Sequence, residues 1–225
     1  MATPTVLITG FEPYGPWTLN PSGAVAEQLD GSCIDGASIV ARTLPVTLAS
    51  LADAVSALVQ QVNPDVVISL GLAPGAATLR VERVGLNLAD FALPDNAGLH
   101  VRNARLVPEG PQALCSTLAV RDIQAAQARA GIPSVVSNSA GTYLCNAVLY
   151  SFLHAAHVQT THARCGFIHL PFLPSQVAQQ LSAVNDSSSG AAPGVENLAS
   201  MSLDDMIKGV AMAVSISVKT DVASP

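Results

Sequence analysis

Ile132-Pro133-Ser134-Val135-Val136-Ser137-Asn138-Ser139-Ala140-Gly141-Thr142-Tyr143-Leu144-Cys145-Asn146 runs from an apolar stretch through small polar residues and a glycine into a helix-like pattern that begins around Tyr143. The order reads as strand, tight turn, helix, and puts Cys145 in the first helical turns. A helix N-terminus carries partial positive charge and unpaired N–H groups, and both favour a thiolate over a thiol. Later in the chain, Gly166-Phe167-Ile168-His169-Leu170-Pro171 brings an imidazole to the end of another apolar run. A thiolate at a helix start, met by an imidazole from a strand end, is the physical recipe for a cysteine nucleophile. A buried structural cysteine fits the same local pattern, since free Cys is among the most buried residue types.

Outward from this stretch, strand and helix patterns alternate. Compact apolar runs over 6–10, 38–44, 66–70 and 165–170 predict strands, and 78–88 shows β-type alternation. Helical patterns cover 22–29, 48–61, 120–130 and 202–218, the last with Ser202 as cap and Asp204 and Asp205 in its first turn. An aromatic-, Pro- and Gly-rich loop follows the first strand, and a Ser/Gly-rich loop over about 185–200 precedes the closing helix. Unbroken apolar strands interleaved with helices imply an α/β fold with helices on both faces. The expectation is a single domain over 1–225, a three-layer α/β/α sandwich with a mostly parallel, twisted central sheet. Ligands in such folds sit beyond the carboxyl ends of the strands. Thr9-Gly10-Phe11, Gly71-Leu72-Ala73, Asn138-Ser139 and His169 all fall at predicted strand ends, and that convergence favours the catalytic reading of Cys145 and His169.

Composition narrows the partners. Charged residues make up 12% of the 225 positions and hydrophobic ones 49%, against about 25% charged in ordinary globular domains. So few charges suggest that self-association hides apolar surface. A net charge of −6 argues against nucleic acid or an anionic membrane as partner. The first residues lack the basic head and long apolar centre of a signal peptide. No apolar stretch approaches the roughly 20 residues of a membrane-spanning helix. A soluble, cytoplasmic protein is expected. Cys33, Cys115, Cys145 and Cys165 form no C-x-x-C pair and read as free thiols. His154 and His157 lack a further ligand at zinc-site spacing, so no metal is expected. No cofactor is expected either, because no glycine-rich phosphate-loop motif follows the first strand.

Several longer motifs resemble the pyroglutamyl peptidase type I (pyrrolidone-carboxylate peptidase) family of cysteine peptidases. They are Val6-Leu7-Ile8-Thr9-Gly10-Phe11-Glu12-Pro13-Tyr14-Gly15, Asn20-Pro21-Ser22, Gly71-Leu72-Ala73-Pro74-Gly75, Val81-Glu82-Arg83-Val84-Gly85-Leu86-Asn87 and Leu93-Pro94-Asp95-Asn96. Residues 137–146 and 166–174 complete the set, in order and in register over about 5–175. The resemblance implies Cys145 as nucleophile, His169 as general base and Glu82 as the acid that orients His169. Asp95 is a reserve for the acid; Glu82 could instead pair on the surface with Arg80 or Arg83. The implied substrate is a peptide with an N-terminal pyroglutamate, a neutral lactam suited to an apolar slot with a few hydrogen bonds. Phe11, Tyr14, Asn20, Leu72, Leu93, Tyr143 and Leu144 match its pocket positions, and backbone amides near Cys145 would form the oxyanion hole. Phe11 and Tyr14 also fit plain packing under a loop, and Asn20 fits a turn former. The resemblance further implies a homotetramer.

Three departures stand out. Tyr14 occupies a position where the family pattern leads one to expect phenylalanine, which adds a hydroxyl to the pocket wall. Ala76 and Ala92 stand where arginines are expected, leaving their roles missing or supplied by Arg80 or Arg83. The lost arginines motivate an alternative, a non-catalytic pyroglutamyl- or peptide-binding homologue with weakened chemistry.

Overall fold

Four apolar runs form the parallel middle of one seven-stranded sheet in this computed structural model, which describes residues 3–186 and 197–219. The strands are β1 (Thr5–Phe11), β2 (Cys33–Ile34), β3 (Ala37–Leu44), β4 (Val66–Leu72), β5 (Leu79–Glu82), β6 (Val84–Leu86), β7 (Ala113–Cys115), β8 (Ser134–Ser137) and β9 (Arg164–Leu170). The helices are α1 (Pro21–Leu29), α2 (Leu51–Val62), α3 (Val120–Arg129), α4 (Leu144–His157), α5 (Pro174–Asp186) and α6 (Leu203–Lys219). The main sheet has the order β2-β3-β1-β4-β9-β5-β8, and β6 pairs with β7 apart from it. Strands β3, β1, β4 and β9 run in parallel.

Alternation along each strand sends side chains to two cores. Val6 and Ile8 of β1, Ile68 of β4 and Ile168 of β9 pack with α1 and α6 on one face. Leu7, Val67 and Phe167 point the other way, into a core shared with α2 and α4. All seven residues of β4 are buried, as its continuous apolar sequence requires for a strand covered on both faces. This is the expected three-layer α/β/α sandwich with a mostly parallel sheet.

Strand direction corrects one expectation. β5 is antiparallel to β9, and β8 is parallel to β5. The carboxyl end of β8 therefore points away from the edge reached by β1, β4 and β9. Residues 138–143 return toward that edge through a turn. Ser139 N–H bonds to Ser137 Oγ and Gly141 N–H to Ser139 Oγ, and Gly141 takes φ +76°, where only glycine sits without strain.

The alternation over 78–88 also divides. β5 stays in the main sheet, Arg83 bonds to Ser137 and Ser116 at a bend, and β6 leaves to pair with β7. Helix α5 and the short β2 carry no clear periodic signal in the sequence. Of the loop expected over 185–200, residues 187–196 lie outside the described residues, while Ser200 pairs with Phe172. Ser202 caps α6 as expected, its Oγ accepting from Asp205 N–H at 3.1 Å.

Candidate active site

Cys145 is the second residue of α4. Tyr143, at the N-cap, places no side-chain oxygen on the helix amides. The first intrahelical bond runs from Ala147 N–H to Tyr143 O at 3.1 Å, so the amides of Leu144, Cys145 and Asn146 precede it. They concentrate the positive end of the helix dipole beside the thiol. Asn146 fixes this turn: fully buried, it accepts from Leu86 N–H at 2.8 Å and donates to Leu86 O and Leu88 O, both at 2.9 Å. Its one mark in the sequence is an amide side chain inside an otherwise apolar helix.

His169 is the penultimate residue of β9, and Glu82 is the last of β5. Glu82 lies opposite Phe167, one diagonal step from His169 on the same sheet face. His169 Nδ1 is 2.8 Å from Glu82 Oε1, with Glu82 0% and His169 7% exposed. Nε2 is left over for Cys145, which lines the same cleft as the ring. Burial alone pushes the imidazolium toward losing its proton. Cys145 first, then the hydrogen bond and charge of Glu82, outweigh burial and raise His169 to about 9. The surface salt bridge of Glu82 with Arg80 or Arg83 is not formed. Asp95 is occupied elsewhere, accepting from the amides of Leu48, Ala97 and Leu99.

A cleft of about 410 Å³ opens over Cys145 and His169 at the carboxyl ends of β1, β4 and β9. Phe11, Tyr14, Asn20, Leu72, Tyr143 and Leu144 line it. Tyr14 packs on Trp17 and Tyr143, and Tyr143 packs edge-on against Phe91 with its hydroxyl on Pro94 O. Asn20 also serves the loop, capping α1 through Ser22 and donating to Glu12 O at 3.0 Å. Leu93 does not line this cleft. It is 58% exposed and borders an adjoining depression with Tyr14, Ala92 and Tyr143. Arg80, whose side chain was not singled out as a pocket residue, does line the cleft; Arg83 does not.

The other thiols are set apart. Cys165 is fully buried and burial pushes it up to about 12, while Cys33 and Cys115 are exposed. Among the described residues no cluster of three His, Cys, Asp or Glu side chains is placed to hold a metal. No helix among them is long and apolar enough to cross a membrane.

A family model described as pyroglutamyl peptidase matches residues 4–220. A pyrrolidone-carboxylate peptidase of Enterobacter sp. (strain 638) is 43% identical over 173 residues, covering 77% of this chain and 80% of the relative. That of Chromobacterium violaceum is 40% identical over 213 residues, 95% and 92% of the two chains. Among solved structures, the pyrrolidone carboxyl peptidase of Thermococcus litoralis superimposes with a TM-score of 0.86 at 34% identity, covering 99% of each chain. An A199P mutant of the Pyrococcus furiosus peptidase gives 0.89 at 33%, covering 97% of this chain and 100% of its own. Relatives of this kind do not favour the alternative of a binding homologue without chemistry. A match from residue 4 to residue 220, with relatives aligned nearly end to end, shows that this chain belongs to the pyroglutamyl peptidase family.

Proposed function

We propose that this pyroglutamyl peptidase cleaves N-terminal pyroglutamate from peptides with Cys145 as nucleophile, His169 as base and acid, and Glu82 as the residue that orients His169. The observation that carries the assignment is the buried 2.8 Å contact between His169 Nδ1 and Glu82 Oε1, with Cys145 lining the same cleft as the ring. A neutral thiol is a weak nucleophile, and an adjacent imidazole converts it to thiolate by taking its proton. The sulfur adds to the pyroglutamyl carbonyl, and the oxyanion forms beside the uncapped amides of the first α4 turn. His169 then gives its proton to the departing amine as the C–N bond breaks, leaving a thioester on Cys145. Water, deprotonated by His169, attacks the thioester and releases pyroglutamate and the thiol. Glu82 holds Nδ1–H and stabilises the imidazolium throughout, the role an acid plays in such triads.

The cleft wall supports lactam recognition. Phe11, Leu72, Tyr143 and Leu144 give apolar contact, and among the described residues no carboxylate lines the cleft to bind a free ammonium group. We extend the proposal to the whole chain acting as one peptidase domain, in the cytoplasm, as a homotetramer. The low fraction of charged residues supports self-association.

The test is release of a fluorescent amine from a pyroglutamyl amide, beside proline and alanine amides, with and without iodoacetamide. Thiol-sensitive release from the pyroglutamyl substrate alone is expected, and Cys145→Ala should remove it while leaving the folded spectrum intact. Substantial turnover by Cys145→Ala would overturn the nucleophile assignment.

A further inference from the structure

Arg80 is a cation in a cleft that no carboxylate lines among the described residues. It sits on β5 directly opposite His169 of β9. Opposed residues of an antiparallel pair project to the same face with Cβ atoms about 5 Å apart, so Arg80 and His169 stand side by side. The Arg80 side chain is exposed and lines the cleft. It forms no ion pair among the described residues, and Glu82, two positions on, gives its carboxylate to His169 instead.

The direction of the reaction says which part of a substrate meets this guanidinium. His169 must reach the amide nitrogen that departs, because it supplies that nitrogen's proton. The leaving residue therefore extends from the scissile bond on the His169 side, and the neighbour on that side is Arg80. The pyroglutamyl ring occupies the other part of the cleft, among Phe11, Tyr14 and Tyr143. Guanidinium is planar, permanently charged and matched to a carboxylate through paired N–H donors.

We propose that Arg80 is a specificity residue that binds a carboxylate on the leaving portion of the substrate. Two sources carry that group: the α-carboxylate of a pyroglutamyl dipeptide, and the side chain of an acidic second residue. Arg80 acts here on recognition, not on the reacting atoms. The inference rests on the catalytic reading above, since it is the position of His169 as acid that orients the leaving group.

The experiment compares kcat/KM for pyroglutamyl-alanine with its C-terminal amide, and for pyroglutamyl-glutamate amide with pyroglutamyl-glutamine amide. Each comparison differs by one carboxylate, so the ratio within a pair cancels any general effect of a variant on turnover. For a partly solvated guanidinium–carboxylate contact at low salt we expect a ratio of about fivefold to tenfold in favour of the acid in at least one pair. Arg80→Met should bring that ratio to about one, Arg80→Lys should keep part of it, and Arg80→Glu should invert it. The pair that responds identifies the source. Ratios near one in the wild type, or ratios that survive Arg80→Met, would overturn the proposal. An equal loss on all four peptides would also overturn it and give Arg80 a part in the chemistry instead. A neutral pyroglutamyl arylamide separates the two levels, because its thiol-sensitive turnover tests Cys145 and His169 without engaging a carboxylate. Should turnover itself fail, calorimetric titration of the Cys145→Ala protein with the same pairs still reads the preference.

Discussion

Gly71 and Cys145 compete for one space: a Cβ built on Gly71 would stand 2.7 Å from the Cys145 sulfur and equally close to the Phe167 ring. Gly71 lies opposite His169 in the β4–β9 register, so the floor of the site is bare backbone where the nucleophile meets its base. Its backbone is not in the left-handed region, and the demand for glycine is purely steric. Gly71→Ala must therefore move the sulfur, Phe167 or the strand. Overpacking of this kind costs about 1–3 kcal/mol of stability. A sulfur displaced by 1 Å can cost about 100-fold in rate. Thermal unfolding and kcat/KM on one preparation check both. Full activity with an unshifted unfolding midpoint would show that the sulfur has other room.

The Glu82–His169 pair predicts a pH profile. His169 is raised from 6.5 to about 9, against burial, by the Cys145 charge and by Glu82. A raised value keeps the imidazolium populated below about 9, so kcat/KM should fall as pH climbs through that value. The same linkage gives a stability term, present in full below 6.5 and lost progressively up to about 9. Glu82→Gln removes one of the raising charges. The alkaline limb should then move down by about one unit, and activity at pH 7 should drop about tenfold or more. An alkaline limb that stays in place after Glu82→Gln would detach Glu82 from the proton chemistry.

Asn146 gives a stability prediction beside the nucleophile. Its side chain makes three hydrogen bonds to the β6 segment from a fully buried position. Asn146→Ala leaves Leu86 N–H, Leu86 O and Leu88 O without this partner, and unsatisfied buried groups cost about 1–3 kcal/mol each. We expect a loss of about 3 kcal/mol or more in urea unfolding. Asn146→Asp should fare little better, because a carboxylate accepts from Leu86 N–H and cannot donate to the two carbonyls. A loss below about 1 kcal/mol for Asn146→Ala would show that water replaces the clamp.

These residues also show what sequence could and could not reveal. Val66–Leu72 is legible because a strand covered on both faces must be apolar throughout. Cys145 and His169 are legible because a turn into a helix and a strand end are local events with local signals. Strand direction has no such signal. Nothing in Leu79–Glu82 or Ser134–Ser137 says that they oppose β9, so Asn138-Ser139 reads as a strand end at the site when the chain reaches it by doubling back. Helix α5 was missed because its Gln- and Ser-rich sequence gives little apolar contrast, and Gln176 is spent on backbone partners at Leu19 and Leu173. Leu93 reads as a pocket wall by motif yet projects to solvent, since exposure depends on how the 92–99 turn is carried. Gly71 carries no mark in the sequence that it faces a sulfur.

Tyr14 yields the last prediction. Its ring is held between Trp17 and Tyr143 at the cleft wall, and among the described residues its hydroxyl has no hydrogen-bond partner. Burial, then the Cys145 charge and Tyr143, hold the phenol well above its ordinary range, so it stays a neutral donor at every working pH. A neutral donor without a protein acceptor suits the carbonyl of a bound lactam, which is neutral and needs its oxygen satisfied once water is displaced. One such bond contributes about 1 kcal/mol, or about fivefold in binding. Tyr14→Phe keeps the ring packing and deletes only the oxygen. KM for a pyroglutamyl amide should rise about fivefold with kcat nearly kept, because the contact is made equally in ground and transition states. A fall in kcat at constant KM would place the hydroxyl on the developing oxyanion instead. An improved KM would mean that the hydroxyl costs more to desolvate than the lactam returns.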